Sequence, residues 1–150
     1  MSLALAVVFL HVVGVVVWIG GLIYQTHVLL PAARRGGVGA FTDAAVRARP
    51  VTWTAVAVVV LTGLYNVTQL GALERVMESG AGLALAGKFT LVILAVALAA
   101  QRDFAQIPLL RAAAAGSDAS DALAAIARLD RIVLGLALVV IWLGLMISRA

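Results

Sequence analysis

The chain has 150 residues, of which 64% are hydrophobic and only 12% are charged. A soluble domain has about 25% charged residues and a disordered chain is poor in apolar ones, so both classes are excluded. The net charge of +4 does not indicate nucleic acid, because the arginines lie between apolar segments, where they set membrane topology. The absence of cysteine excludes disulfides, thiolate metal sites and cysteine nucleophiles.

Four apolar segments reach, or nearly reach, the about 20 residues that a transmembrane helix needs. They are residues 3–24, 51–70, 83–100 and 132–148. Helices are the structure they favour, because an open sheet leaves backbone groups unpaired in lipid. The sequence therefore predicts an all-α fold, an integral membrane four-helix bundle in which residues 1–150 form a single four-span transmembrane domain.

The connections between these segments differ in charge. Residues 25–50 and 101–131 hold eight of the eleven basic side chains, whereas residues 71–82 hold only Arg75 with two glutamates. Basic loops favour the cytoplasmic side of a membrane. We therefore expect loops 25–50 and 101–131 to be cytoplasmic, both the N and C termini to lie on the outer side, and the protein to be multi-pass in a bacterial-type inner (plasma) membrane. The pair Gly36-Gly37 indicates a turn within the first of these loops.

Polar residues at membrane depth are functional candidates, because burying them there is costly. His11 lies eight residues into the first segment. Steps of three and four residues lead from it to Gly14, Trp18, Gly21 and Gln25, which therefore share one helix face. We expect this small, aromatic and polar face to point into the bundle.

Lys88 lies five residues into the third segment, which runs in the same direction as the first. Both His11 and Lys88 are therefore expected in the outer half of the membrane. The outer halves of the second and fourth segments hold further polar, aromatic and sulfur-containing side chains, namely Thr62, Tyr65, Asn66, Trp142 and Met146.

This set suggests a redox metal centre. A neutral imidazole binds copper or haem iron, and copper(I) prefers soft ligands, so His11 and Met146 are the predicted metal ligands. Thr62 or Asn66 would form a hydrogen bond with the second imidazole nitrogen. Lys88 would neutralise a haem propionate or bind an anion. The alternative is structural: His11 hydrogen-bonds a neighbouring helix, and Lys88 extends to the interface.

Several functions are excluded or disfavoured. The two histidines, His11 and His27, lie about 24 Å apart along one helix and cannot hold one haem together. The four predicted spans contain no carboxylate, which disfavours a carboxylate-based proton or cation pump. No phosphate loop or dinucleotide motif is present, and no catalytic residue is identified.

Three motifs give the sequence a family resemblance. They are His11-x6-Trp18-Ile19-Gly20-Gly21, Leu61-Thr62-Gly63-Leu64-Tyr65-Asn66, and Lys88 at the start of the third segment. Together they resemble the CopD (copper resistance D) family of membrane domains from about residue 5 to residue 145. The layout is also similar to that of the related HemJ-type protoporphyrinogen oxidases.

The resemblance to CopD implies copper handling or transport, with a periplasmic copper donor as a candidate partner. The similarity to HemJ-type proteins implies a haem b oxidoreductase, acting on protoporphyrinogen or quinol, with His11 as axial ligand and Lys88 close to the haem or porphyrin carboxylates. In either case Trp18, Tyr65 and Asn66 are candidates to line the cofactor, which is copper or haem b. A third reading is a structural subunit of a larger membrane complex. Membrane lipid is the expected partner in all three cases. A homo-oligomer and a larger membrane complex are further candidate assemblies.

Overall fold

A computed structural model describes residues 2–69, 80–113 and 119–147, and it is all-α: these residues include no strand. The helices are α1 (Leu3–Tyr24), α2 (Leu30–Ala32), α3 (Val38–Thr68), α4 (Gly80–Gln101), α5 (Ile107–Ala113) and α6 (Ala119–Ile147). Three π-helical turns join them, at Gln25–Leu29, Ala33–Gly37 and Arg102–Gln106. The all-α prediction is confirmed. The predicted span ends at Leu70 and Ser148, and most of the 71–82 connection, lie outside the described residues.

Three helical stretches are long and apolar enough to cross a membrane, namely Leu3–Thr68, Gly82–Ala113 and Ala119–Met146. The protein is therefore multi-pass, and its apolar outer surface contacts lipid. The count differs from the predicted four, because the first and second predicted spans belong to one helical run. That run reverses at Gly36, whose φ of 110° lies in the left-handed region that glycine tolerates.

Residues 25–50 and 101–131 were expected to be loops, and this is wrong for the residues that the structure describes. They are helical except at Gly36, with residues 114–118 outside the description. The physical reason is that these helical segments pack together around an apolar core, which we call the turn core. Its buried members are Leu30, Ala33, Phe41, Ala45, Ile107, Leu110, Leu123, Ile126 and Ala127.

A separate apolar core, which we call the span core, lies farther from Gly36. Its buried members are Trp18, Leu22, Ala55, Val56, Ala95, Ala99 and Val133. The bundle thus extends as continuous helices from one core to the other. Helices α3 and α6 contribute buried side chains to both cores, whereas α1 and α4 contribute to the span core and α2 and α5 to the turn core.

Helices α1 and α3 pack side by side and run antiparallel. His11 meets Thr62, and three residues farther along α1 Gly14 meets Val59. A Cβ placed on Gly14 would lie 2.8 Å from Val59 Cγ2 and 3.3 Å from the carbonyl oxygen of Ala55. The close approach of the two helices therefore requires glycine at this position.

We expect Gly14→Leu to force α1 away from α3 and to lower the free energy of unfolding by about 1–3 kcal/mol, the usual cost of overpacking. Thermal unfolding of the detergent-purified protein, followed by circular dichroism, measures this. Gly20→Leu is the matched control, because a Cβ on this exposed glycine meets no atom of the described residues within 4 Å. Equal losses in the two variants would contradict the assignment.

Candidate functional site

His11 is held by a threonine on the neighbouring helix. Its Nδ1 lies 2.9 Å from Thr62 Oγ1, and Thr62 Oγ1 donates to the Val58 carbonyl oxygen at 2.5 Å. A hydroxyl has one hydrogen. Because Thr62 gives that hydrogen to Val58, its oxygen accepts from the Nδ1–H of His11. The lone pair of the imidazole then lies on Nε2, which is left available to a ligand.

The imidazole ring of His11 packs against Gly63 of α3. A Cβ on Gly63 would lie 3.4 Å from His11 Cε1, so the ring lies directly against the backbone of α3. The motif Thr62-Gly63 thus supplies both the hydrogen-bond acceptor and the room for the ring. The ring is half-buried rather than enclosed.

Lys88 lies at the same end of the bundle on α4. Its Nζ packs close to α6, where a Cβ on Gly144 would be 3.1 Å away. Its ammonium is near enough to act electrostatically on the imidazole of His11. The two ionisable side chains predicted from the sequence therefore influence each other across the bundle.

The other predicted site residues are placed differently. Trp18 is buried in the span core, and Tyr65 and Asn66 are half-buried on α3, one turn beyond Thr62. Met146 is 51% exposed, and it follows Gly144 by two residues, which puts it on another face of α6 from the one that meets Lys88. The structure thus does not bring Met146 to His11 within one chain.

A metal centre of the usual multi-ligand kind is not seen. Among residues 2–69, 80–113 and 119–147, no three or more histidine, cysteine, aspartate or glutamate side chains are grouped to hold an ion. The seam beside His11 is also too tight for a haem between α1 and α3, because Gly14 touches Val59 there.

A second polar cluster lies between the two apolar cores, about 21 Å along α1 from His11. We call it the polar layer. It consists of Gln25, Thr26, Arg49, Trp53, Arg102, Asp103 and Asp130. Two of the three π-helical turns begin here, at Gln25 and at Arg102, and such turns occur frequently at functional sites.

Arg102 is the centre of the polar layer. Its Nη1 lies 2.6 Å from Asp103 Oδ1, and its Nη2 donates to Gln25 Oε1 at 2.7 Å. Its Nε lies 2.6 Å from Asp130 Oδ1, an ion-pair distance without an aligned hydrogen bond. The exposed fractions of Arg102, Asp103 and Asp130 are 5%, 5% and 0%. One guanidinium therefore ties the ends of α1 and α4 to the middle of α6.

The α3 helix contributes aromatic and cationic contacts to Asp103. Trp53 Nε1 donates to Asp103 Oδ2 at 3.1 Å, and Arg49 donates to the main-chain oxygen of Asp103. The Arg49 guanidinium also lies 5.2 Å from the centre of the Phe104 ring, which packs on Trp53 at 5.4 Å. All the membrane-length stretches thus meet in this layer.

Sequence reasoning missed this cluster. It placed Arg102 and Asp130 in a cytoplasmic loop and found no carboxylate in any span, yet Asp130 lies within the membrane-length stretch Ala119–Met146. A signal was present: Ile126, Asp130, Val133 and Ala137 follow helical spacing, and all four are buried. The argument against a carboxylate-based ion site does not hold for this structure.

A small cavity adjoins the polar layer. Its volume is about 20 Å³, which is room for about one water molecule. Its lining combines polar residues with apolar ones of the span core, namely Gln25, Thr52, Arg102, Asp103 and Asp130 with Trp18, Leu22, Ala99 and Val133. A water-sized space therefore lies where the network meets the span core.

These features define an all-helical, multi-pass membrane protein with a histidine near one end and a buried ion-pair network between two apolar cores. Comparison with family models matches residues 44–147 to "Copper resistance protein D". The match covers more than half of the chain, which belongs to the CopD family. It includes Lys88 and most of the polar layer, whereas His11 precedes it. No curated protein and no solved structure matches the chain.

We expect Arg102→Met to lower the free energy of unfolding by about 3–5 kcal/mol, because it leaves buried carboxylates without their partner. The double variant Arg102→Met/Asp130→Leu should regain part of that loss, since it removes a stranded charge. Denaturant unfolding in mixed micelles measures both.

The chain provides a matched control in Arg111→Met. Arg111 pairs with Asp43 at 3.0 Å, but the two side chains are 61% and 52% exposed. An exposed pair contributes about 0–1 kcal/mol. A loss in Arg102→Met no larger than in Arg111→Met would refute the importance of the buried network.

Proposed function

We propose that this CopD-family protein handles copper in a bacterial-type inner membrane, with copper as its cargo and His11 as its contact. The observation that carries the proposal is the hydrogen bond of His11 to Thr62, together with the family match. A histidine that ligates a metal usually donates its second ring N–H to a fixed acceptor, which orients the ring and raises its basicity. In the proposed site, Thr62 is this acceptor.

Lys88 affects the strength of the proposed copper contact. A copper ion on Nε2 of His11 is repelled by the nearby ammonium, and a single imidazole gives few bonds. Binding is therefore weak and short-lived, which suits passage of an ion better than its storage. The proposed soft ligand Met146 faces outward, so it reaches copper only at the surface of α6, where a second copy or a donor protein brings further ligands.

The proposed topology has four crossings, in which α1 and α3 count as separate spans of one domain. The end that carries Gly36 faces the cytoplasm, because Arg34, Arg35, Arg47 and Arg128 cluster towards it and positive charge favours that side. His11 then lies in the outer half, with both termini outside, and the polar layer lies near the cytoplasmic face.

Single cysteines test this topology, because the natural chain has none. Ser2→Cys on intact cells should react with a membrane-impermeant thiol reagent. Ala40→Cys, at an exposed position just after the turn, should react only after the cells are opened. The reverse pattern would overturn the orientation.

We expect His11→Ala to abolish copper(I) binding and Thr62→Val to weaken it about 10- to 100-fold, as loss of an outer-shell partner does. Competition with a chromogenic copper(I) chelator on the detergent-purified protein measures both. His27→Ala is the matched control, because His27 is exposed and bonds only its own helix, at the Ile23 carbonyl oxygen. Equal copper affinity in the wild type and His11→Ala would remove His11 as the contact.

The same samples separate the remaining candidates. A Soret band that disappears in His11→Ala would favour a haem b protein of HemJ type instead of copper handling. Failure of the wild type to bind either copper or haem, after reconstitution with both, would favour a structural subunit of a larger complex. Met146→Ala tests the soft ligand, and unchanged affinity would remove it.

A further inference from the structure

Two carboxylates share one guanidinium at the centre of the polar layer. In the described part of the chain, Asp103 and Asp130 both contact the single guanidinium of Arg102. With both carboxylates ionised, this triad carries one excess negative charge. Burial makes such a charge costly, and the cheapest way to remove it is to bind a proton.

Arg49 does not remove the imbalance by a direct ion pair. Its guanidinium donates to the main-chain oxygen of Asp103 and lies over the Phe104 ring. Asp103 has a further donor in Trp53, which bonds its Oδ2. Asp130 is the more deeply buried of the two carboxyls and has no exposed surface, so we place the proton there.

The hydrogen-bond count at Thr26 supports the same assignment. Thr26 Oγ1 lies 2.8 Å from the Leu22 carbonyl oxygen and 3.2 Å from Asp130 Oδ2. The hydroxyl has one hydrogen, and the nearer acceptor is Leu22. With Asp130 ionised, Thr26 shares its one hydrogen between Leu22 and Asp130. With Asp130 protonated, Thr26 donates to Leu22 alone and accepts from the carboxyl, so each contact has its own hydrogen.

A cavity adjoins that carboxyl. It is large enough for about one water molecule, and Asp130 lines it together with Gln25, Thr52 and Arg102 and with apolar side chains of the span core. A water there would accept a hydrogen bond from the protonated carboxyl, which itself has no exposed surface.

We propose that Asp130 and this cavity form a proton-binding site between the two apolar cores. The groups facing Asp130 are Thr26 and Gln25 from the first helical run, and Arg102 and Asp103 from the π-helical turn after α4. From α3, Arg49 and Trp53 act through Asp103. On α6 itself, Arg128 and Arg131 are exposed. The site is independent of copper, because neither its residues nor its test involves His11.

Infrared spectroscopy of the protein in lipid vesicles at neutral pH tests the proposal. We expect a carbonyl band of a protonated carboxyl that shifts in D2O and is lost in Asp130→Asn. It should weaken in Asp103→Asn, which removes the excess negative charge, and persist in the control Asp43→Asn, whose side chain is exposed. No such band in the wild type, or a band lost in Asp103→Asn but kept in Asp130→Asn, would overturn the assignment.

A second variant keeps the test valid if Asp130→Asn does not fold. Thr26→Val removes the acceptor of the carboxyl hydrogen and should shift the carboxyl band, whereas Thr26→Ser retains the acceptor and should leave it in place. An identical band position in the wild type and in folded Thr26→Val would show that the protonated group is not bonded to Thr26.

Discussion

The fold depends on the cost of burying charge between two apolar cores. Arg102, Asp103 and Asp130 are shut off from solvent, and each would be strongly destabilising alone. They are tolerated because a single guanidinium contacts Gln25, Asp103 and Asp130, which come from three different parts of the chain. The helices must therefore keep their relative positions here, whereas the apolar cores above and below tolerate small shifts. The polar layer consequently fixes the register of the bundle.

His11 and the polar layer have different surroundings. The described polar groups near His11 are few and half-buried, as the proposed short-lived copper contact requires. In the polar layer they are more numerous, mostly buried and mutually bonded, so this layer closes the bundle to solvent. A protein that moves a cation, as we propose, needs both properties, because a site that binds and releases its cargo must be separated from the opposite side by a closed section.

Composition and apolar run length were enough to predict the fold class, and helical spacing was enough to place His11 on a face with Trp18 and Gly14 that the structure finds packed against α3. The helical structure of residues 25–50 and 101–113 was not foreseen. Residues such as Arg34 and Gly36-Gly37 are typical of loops, and only the packing of Phe41, Ile107 and Ile126 together reveals the turn core. The partners of Arg102 were also unpredictable, since Gln25 and Asp130 are distant in sequence and a single sequence does not show which polar side chains meet.

The chain reverses at Gly36, so that α1 and α3 form a helical hairpin with no long loop between its two arms. His11 meets Thr62 and Gly14 meets Val59, so each step along one arm is matched by a step back along the other. One additional residue in the turn would advance α3 by about 1.5 Å and rotate it by about 100°. Thr62 would then leave His11, and a different side chain would meet Gly14. The length of a turn at one end of the molecule thus determines the tautomer of a histidine at the other.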